Sequence, residues 1–150
     1  MSFFFLILVI FAAFHLPFIG RAAFLSSRGD KAAAAMGVAF IITGSMHFSN
    51  PARFLAMMPP FLPWPLDLIY LSGALEILGG VGLAMRATRR LAAFGLTALL
   101  LAIFPANIHV ALSGGSVEGL PAAGWYYWVR LPFQFVYIGW ALWCSRDRSA

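Results

Sequence analysis

Charged residues are scarce in this sequence. Only 10% of its 150 residues are Asp, Glu, Lys or Arg, whereas 62% are hydrophobic. A soluble domain carries roughly 25% charged residues, because polar side chains have to cover its surface. Ten basic and five acidic residues are too few to cover a water-facing protein of this size. The sequence therefore predicts an integral membrane protein.

Cysteine and the common catalytic motifs are also nearly absent. Cys144 is the only cysteine, which excludes an intramolecular disulfide and a CxxC redox pair. We interpret it as a small apolar residue in a lipid-facing helix. No P-loop, nucleophile elbow or HExxH motif occurs. The net charge of +5 comes from basic residues beside apolar segments, where they determine membrane topology, so we expect no binding of nucleic acid.

Five apolar segments are each close to the length of about 20 residues that a helix needs to cross the bilayer core. They cover residues 3–19, 32–48, 66–85, 91–112 and 125–144. Backbone amides in lipid have to be paired within their own segment, so each segment is expected to be helical. The sequence predicts one all-α transmembrane domain over residues 1–150, a bundle of five spanning helices. Prolines within residues 57–65 predict a stiff, non-helical connector.

Basic residues lie mostly on one side of this topology. That side carries Arg21, Arg28, Lys31, Arg86, Arg89, Arg90, Arg146 and Arg148, and the other carries Arg53 and Arg130. Because cytoplasmic loops are rich in Lys and Arg, we predict that the amino terminus is outside and the carboxyl terminus is cytoplasmic. Trp140 and Trp143 would then lie in the inner aromatic belt.

A few polar residues interrupt the apolar segments. Ionisable groups inside a membrane are costly and usually face the protein interior. Glu76 lies ten residues into the third segment, roughly 15 Å deep. Tyr127, Arg130, Gln134 and Tyr137 share one helical face of the fifth segment. We expect Arg130 to form an ion pair with Glu76.

These residues predict a polar pocket in the outer half of the bundle. Its candidate ligand-binding residues are His47, Glu76, Asn107, Arg130, Gln134 and Tyr127, and its candidate catalytic residues are Glu76 and His47. In the inner half we identify only His15, a lone helix-terminal group. Two alternatives stay open: the polar groups fix helix register without any ligand, or His47, Glu76 and His109 bind a metal, although they lack the spacing of a metal site.

Glycines indicate how the helices pack. The second segment contains Gly37 and Gly44, and the third contains Gly73, Gly79, Gly80 and Gly82. Glycine lets two helix backbones approach closely in lipid. We therefore predict that these residues lie at helix contacts.

Three short motifs resemble the DoxX/DoxD-like family of small membrane proteins. They are GSMHFSNP at residues 44–51, SGALEILGG at 72–80 and FPANI at 104–108, and the similarity spans residues 36 to about 144. The resemblance implies a four-helix membrane bundle, to which this chain adds a first helix. It also implies a link with respiratory or sulfur redox systems, with quinone as the associated cofactor and membrane redox proteins as partner subunits.

We expect a non-catalytic accessory protein of the bacterial inner membrane that binds a small apolar or amphipathic ligand, either a quinone or a lipid. In this hypothesis Arg130 and Gln134 contact the polar head, and the bilayer and a second copy of the chain are further partners. One alternative is a membrane-embedded enzyme that uses Glu76 as acid or base. Another is a small proton-coupled transporter, which at 150 residues would need to oligomerise.

Overall fold

The computed structural model describes residues 2–16, 25–113, 117 and 124–146. Within these ranges all regular secondary structure is helical. The helices are α1 (Ser2–Ala13), α2 (Arg28–Ser49), α3 (Pro51–Leu55), α4 (Pro65–Ala84), α5 (Arg89–Ser113) and α6 (Gly124–Arg146). The predicted all-α class is confirmed. The five predicted segments correspond to α1, α2, α4, α5 and α6, and the short α3 is an addition.

Four long helices form a closed ring. α2 packs against α4, α4 against α5, α5 against α6, and α6 less extensively against α2. α1 packs against α2 and also contacts rings of α6, and its Ile7 is fully buried in the core. Met36, Phe40, Leu83 and Leu96 are among the buried side chains at the centre. α4 and α6 therefore stand at diagonal positions of the ring.

The outer surface of the bundle is apolar. Leu78 of α4 and Leu91 and Leu112 of α5 are each about two-thirds exposed or more, and many other large hydrophobic side chains are exposed. Apolar surface on this scale is rare in a soluble monomer. α2, α4 and α5 are long and apolar enough to cross a membrane, and α1 is apolar but shorter. These features are compatible with a membrane location.

α2 and α4 touch along their backbones, and four glycines make this contact possible. Gly37 faces Gly80, and seven residues further along α2 Gly44 faces Gly73, so the two helices run antiparallel. A Cβ added at Gly44 would lie 2.7 Å from the carbonyl oxygen of Gly73. Such small-residue contacts hold helices together in lipid, where burial of apolar surface does not favour protein over lipid neighbours. The predicted packing role of these glycines is confirmed.

α4 also uses glycine in its contact with α5. A Cβ at Gly79 would meet the side chain of Leu96, and one at Gly82 would meet Ala92. The hydroxyl of Thr88, in the turn between the two helices, donates to the carbonyl oxygen of Gly82 at 3.0 Å. One face of α4 thus packs on α2 and another on α5.

The start of α2, the end of α4 and the start of α5 meet around Asp30, which is fully buried. Its Oδ1 accepts a hydrogen bond from Nε of Arg86 at 3.1 Å and lies 3.0 Å from Nη2 of Arg89. Asp30 and Ser27 also form a reciprocal capping box that begins α2. We refer to Asp30, Arg86 and Arg89 as the basic-end cluster.

The basic-end cluster corrects the expectation that the inner half offers only His15 as a polar group. Asp30 became buried because three helix ends close around it, which a polar turn in the sequence does not reveal. His15 follows α1, and its Nδ1 is hydrogen-bonded to the carbonyl oxygen of Phe11 at 2.8 Å. The prediction of a helix-terminal group at His15 is confirmed.

At the opposite end of the bundle, α3 and a proline-rich connector join α2 to α4. The side chain of Asn50 accepts the backbone N–H of Arg53 at 3.3 Å, and Pro51 occupies the first turn of α3. Residues 57–64 contain turns and no helix, as the prolines predict. Trp64, with φ of 49°, turns the chain into α4.

Cys144 lies near the end of α6 and is fully buried. It packs in a cluster with Ala32 and Ala33 of α2. The interpretation of Cys144 as a lipid-facing residue is wrong, because α6 turns this face towards α2.

The contact between α2 and α4 can be tested at Gly44. We expect Gly44→Ala to lower the free energy of unfolding by about 1–3 kcal/mol, the usual cost of overpacking, because the nearest atom is a backbone oxygen. Gly95→Ala is the matched control, since a Cβ at Gly95 meets nothing within 4 Å. Denaturation in detergent micelles measures both, and equal stability of the two variants would contradict this account of the contact.

Candidate functional site

Glu76 lies on the face of α4 that packs against α2, and it is 6% exposed. Its Oε2 accepts a hydrogen bond from the hydroxyl of Thr43 at 2.9 Å. Its Oε1 lies 3.7 Å from Nε2 of His47. Thr43 and His47 are one turn apart on α2, so both reach the same carboxyl group. The close approach of the two helices places all three side chains together.

The imidazole of His47 is held in one orientation from the side of Nδ1. Nδ1 lies 3.0 Å from the carbonyl oxygen of Ile69 and 3.1 Å from the hydroxyl of Ser72. Because a carbonyl oxygen can only accept, Nδ1 carries a proton. In the neutral ring Nε2 then has a lone pair that faces Glu76.

The gap between His47 and Glu76 has a chemical consequence. A distance of 3.7 Å is too long for a direct hydrogen bond. A lone pair on Nε2 and an ionised carboxylate are both acceptors, so they can bond directly only if one of them gains a proton. Nε2 therefore has no hydrogen-bond partner in the part of the chain that the structure describes. We refer to Thr43, His47, Ser72 and Glu76 as the α2–α4 cluster.

Phe54 of α3 covers the α2–α4 cluster from the outer end. Its ring lies 3.8 Å from the His47 ring, centroid to centroid, at an angle of 30°. His47 nevertheless keeps 7% of its surface exposed. Phe54 thus covers the cluster at His47, whereas Glu76 lies near the middle of α4.

A second polar cluster lies between α5 and α6. The amide of Asn107 donates to Oε1 of Gln134 at 2.8 Å, and the amide of Gln134 donates to the carbonyl oxygen of Leu100. Gln134 is buried. We refer to Asn107, Gln134 and Leu100 as the α5–α6 cluster. The buried amide of Gln134 is thus hydrogen-bonded through both its oxygen and its nitrogen, which is the arrangement expected of a structural contact.

Arg130 does not pair with Glu76. Among the described residues the ion pairs of carboxylates are those of Asp30 with Arg86 and Arg89 and of Glu76 with His47. The predicted ion pair is therefore wrong. We predicted this ion pair because Glu76 and Arg130 lie at similar depths in the membrane. The two residues do not meet, because α4 and α6 stand at diagonal positions of the ring.

Tyr127 has a structural contact of its own. It is 3% exposed, and its hydroxyl accepts the backbone N–H of Val117 at 3.0 Å. Tyr127, Gln134 and Tyr137 are all buried, so the predicted inward face of α6 is confirmed. Tyr127 thus contacts Val117 and does not take part in the α2–α4 cluster.

The six predicted ligand-binding residues therefore form separate clusters and not the single pocket that we expected. Two cavities, of about 410 and 420 Å³, open elsewhere, and none of the six lines either of them. His47 and Glu76 come together, but within the described ranges no group of three His, Cys, Asp or Glu side chains could hold a metal ion. His109 is thus not joined to this pair.

Several residues of the site were not identified from the sequence. Ser72 and Phe54 both contact His47, and Asp30 organises the other end of the bundle. The pair Asn50-Pro51 is a typical helix start and signals α3, although not its position over His47. The pattern Ser27-x-x-Asp30 signals a capping box, although not its burial.

One family model matches the chain. It is described as Domain of unknown function (DUF8561), and it covers residues 36–145, close to three quarters of the chain. No curated protein and no solved structure matches. The matched region contains the whole of the α2–α4 and α5–α6 clusters, and it excludes α1 and Asp30.

The partners of Glu76 can be tested by double-mutant cycles. We expect Thr43→Val and Glu76→Met to be coupled by about 0.5–3 kcal/mol, the range for residues in contact, because Thr43 donates directly to the carboxyl group. Arg130→Met and Glu76→Met should be additive. Free energies of unfolding in micelles provide the measurement. A larger coupling for Arg130 than for Thr43 would restore the ion pair that the sequence predicted.

Proposed function

We propose that this chain, which belongs to the DUF8561 family, is a five-span membrane protein that binds the polar head of a small amphipathic ligand at the α2–α4 cluster. The ligand class is a quinone or a lipid, and the protein acts as an accessory subunit of a redox-associated membrane system. The resemblance to DoxX/DoxD-like proteins supports the redox association.

The exposed apolar side chains and the gathering of basic residues support the membrane topology. Arg28 and Arg146 line the same cavity, and Arg86 and Arg89 contact Asp30 at that end. His47 and α3 lie at the other end. Because Lys and Arg are enriched on the cytoplasmic side, we place the basic end in the cytoplasm of a bacterium and the α2–α4 cluster near the outer surface of its inner membrane.

The unpaired edge of the α2–α4 cluster is the observation that carries the proposal. The α5–α6 cluster pairs its own groups, whereas Nε2 of His47 faces Oε1 of Glu76 across 3.7 Å without a hydrogen bond. His47 and Glu76 keep 7% and 6% of their surface exposed, and a hydrogen bond to such a group contributes about 0.5–1.5 kcal/mol. A bound hydroxyl group that donates to one of these two acceptors would supply such a hydrogen bond.

The two atoms favour a head group that can both donate and accept. A quinol hydroxyl can donate a hydrogen bond to the ionised carboxylate of Glu76. When Glu76 is protonated, the same hydroxyl can accept a hydrogen bond from the carboxyl group. A lipid hydroxyl can do both as well. The apolar tail would lie along the apolar outer face of the bundle. Gln134 is committed to Asn107 and Leu100, so we assign it no role in this ligand contact.

The same geometry favours acid or base chemistry by Glu76 as a second function. With Nδ1 of His47 already protonated, the pair can hold one further proton on either residue. A group that holds a single proton between two sites can transfer it to a ligand. This function adds proton transfer to the same binding site.

The five-span topology predicts the positions of the chain ends and loops. Reporter fusions after residue 150 should report the cytoplasm, and fusions at residue 114, between α5 and α6, should report the outside. We expect this orientation because the basic residues gather at one end of the bundle, and Lys and Arg are enriched on the cytoplasmic side of membrane proteins. If both fusions report the same side, α6 does not span and the proposed orientation is wrong.

The ligand site predicts a binding-dependent gain in stability. A short-chain quinone, or the molecule that native mass spectrometry identifies in gently extracted protein, should stabilise the wild type by about 2.7 kcal/mol at 100 times its dissociation constant. Glu76→Gln should lose this shift, because it removes the carboxylate that contacts the head group. Thermal unfolding in detergent measures the shift.

Two variants serve as controls. Asp67→Asn removes an exposed carboxylate from the first turn of the same helix and should keep the shift. Gln134→Leu should lower the basal stability and also keep the shift, since its amide is paired elsewhere. A shift that persists in Glu76→Gln, or that disappears in Gln134→Leu, would contradict a ligand site at the α2–α4 cluster.

A further inference from the structure

Two cavities adjoin each other on the basic end of the bundle, and they differ in chemistry. The first, of about 410 Å³, is lined by Ser27, Arg28, Gly29, Trp143 and Arg146. The second, of about 420 Å³, is lined by Phe11, Ala32, Val136, Gly139, Trp140 and Trp143. Trp143 lines both, so the charged cavity and the apolar groove meet at this side chain. Neither cavity belongs to the α2–α4 cluster.

The apolar groove runs along one face of α6. Val136, Gly139, Trp140 and Trp143 recur at the spacing of a single helical face, and from Val136 to Trp143 the groove is about 10 Å long at 1.5 Å per residue. Phe11 of α1 and Ala32 of α2 form the other walls. A Cβ at Gly139 would meet nothing within 4 Å, so the small residue leaves open space there.

Within the described part of the chain, the residues that line the charged cavity carry two guanidinium groups and no carboxylate. Arg28 begins α2 and Arg146 ends α6. Among the described residues, the acidic residue nearest in sequence to either arginine is Asp30, which is fully buried and is already paired with Arg86 and Arg89. The excess positive charge at this cavity is therefore not compensated by Asp30. Guanidinium groups bind phosphate with two parallel hydrogen bonds.

We propose that these adjoining cavities form one binding site for an anionic phospholipid, with its phosphate between Arg28 and Arg146 and one acyl chain in the groove beneath Trp143. The position of each part follows from its chemistry. Tryptophan lies preferentially at the boundary between head groups and acyl chains, and Trp143 stands where the charged cavity meets the apolar groove. The site is independent of the ligand proposed for the α2–α4 cluster.

Brominated lipids provide the test, because bromine on an acyl chain quenches nearby tryptophan. The protein is reconstituted in vesicles of zwitterionic phosphatidylcholine that contain an increasing fraction of brominated phosphatidylglycerol. We expect tryptophan fluorescence to be quenched at lower mole fractions of brominated phosphatidylglycerol than a random distribution of lipids around the protein would produce. Brominated phosphatidylcholine should follow random mixing. Equal quenching by both lipids would overturn the proposal, and so would quenching by phosphatidylglycerol that only matches random mixing.

Substitution of the two arginines tests whether the preference for phosphatidylglycerol arises at this site. Arg28→Gln combined with Arg146→Gln should weaken the preference for phosphatidylglycerol on the order of tenfold, from the attraction of two surface arginines to anionic lipid. Arg90→Gln is the matched control: Arg90 is exposed near the same end, lies over the ring of Phe94 and lines neither cavity. An equal loss in Arg90→Gln would reduce the effect to general surface charge and contradict the proposed site.

The groove is tested separately from the charges. Gly139→Leu should fill it and reduce the selective quenching, without disturbing the fold, because the space at Gly139 is open. Gly95→Leu, at an equally open position on α5, should leave the quenching unchanged. Inorganic phosphate at millimolar concentration should not displace the lipid. Displacement by phosphate would show that the arginines alone hold the head group. Full quenching in Gly139→Leu would show that the acyl chain does not occupy the groove. Either result would contradict the proposed site.

Discussion

The backbone contact between α2 and α4 is the constraint on which the α2–α4 cluster depends. A Cβ at Gly73 would lie 2.6 Å from the Cβ of His47, so the glycine that lets the helices approach is also the residue against which the histidine rests. At the same contact the hydroxyl of Thr43 lies 2.9 Å from Oε2 of Glu76 and forms a direct hydrogen bond between the two helices. The close packing of the glycines and the polar contacts of Thr43, His47 and Glu76 thus lie at the same interface between α2 and α4.

The sequence was sufficient to predict the five longer helices and the small-residue contacts, because each depends on local pattern. It did not predict α3 or the burial of Cys144. It was not sufficient to predict which polar residues meet. Residue number determines depth, at 1.5 Å per residue, but it does not determine which helices are neighbours in the ring. Glu76 and Arg130 match in depth and stand on diagonal helices, whereas Asn107 and Gln134 match in depth and stand on adjacent ones. Only the second pair forms.

Burial of Asp30 illustrates a different limit of sequence reasoning. It lies in a polar turn, and a charged residue in such a turn is normally exposed. Its burial requires Arg86 and Arg89, more than fifty residues away, to close over it. The two arginines carry one more positive charge than the single carboxylate that they pair with. This end of the bundle therefore remains positive. The basic end is therefore suited both to face the cytoplasm and to attract anionic lipid.

The contrast between the two polar clusters bears on whether the α2–α4 cluster is merely structural. A contact that only fixes helix register is most stable when every buried group is paired, and the α5–α6 cluster, in which Gln134 is bonded at both ends of its amide, has this form. The α2–α4 interface already has its register from two pairs of glycines. Glu76 is therefore not required to define that register, and its carboxylate faces a histidine whose nearer nitrogen lacks a hydrogen bond. Because the register does not depend on this carboxylate, its position 3.7 Å from that nitrogen is consistent with the ligand site that we propose.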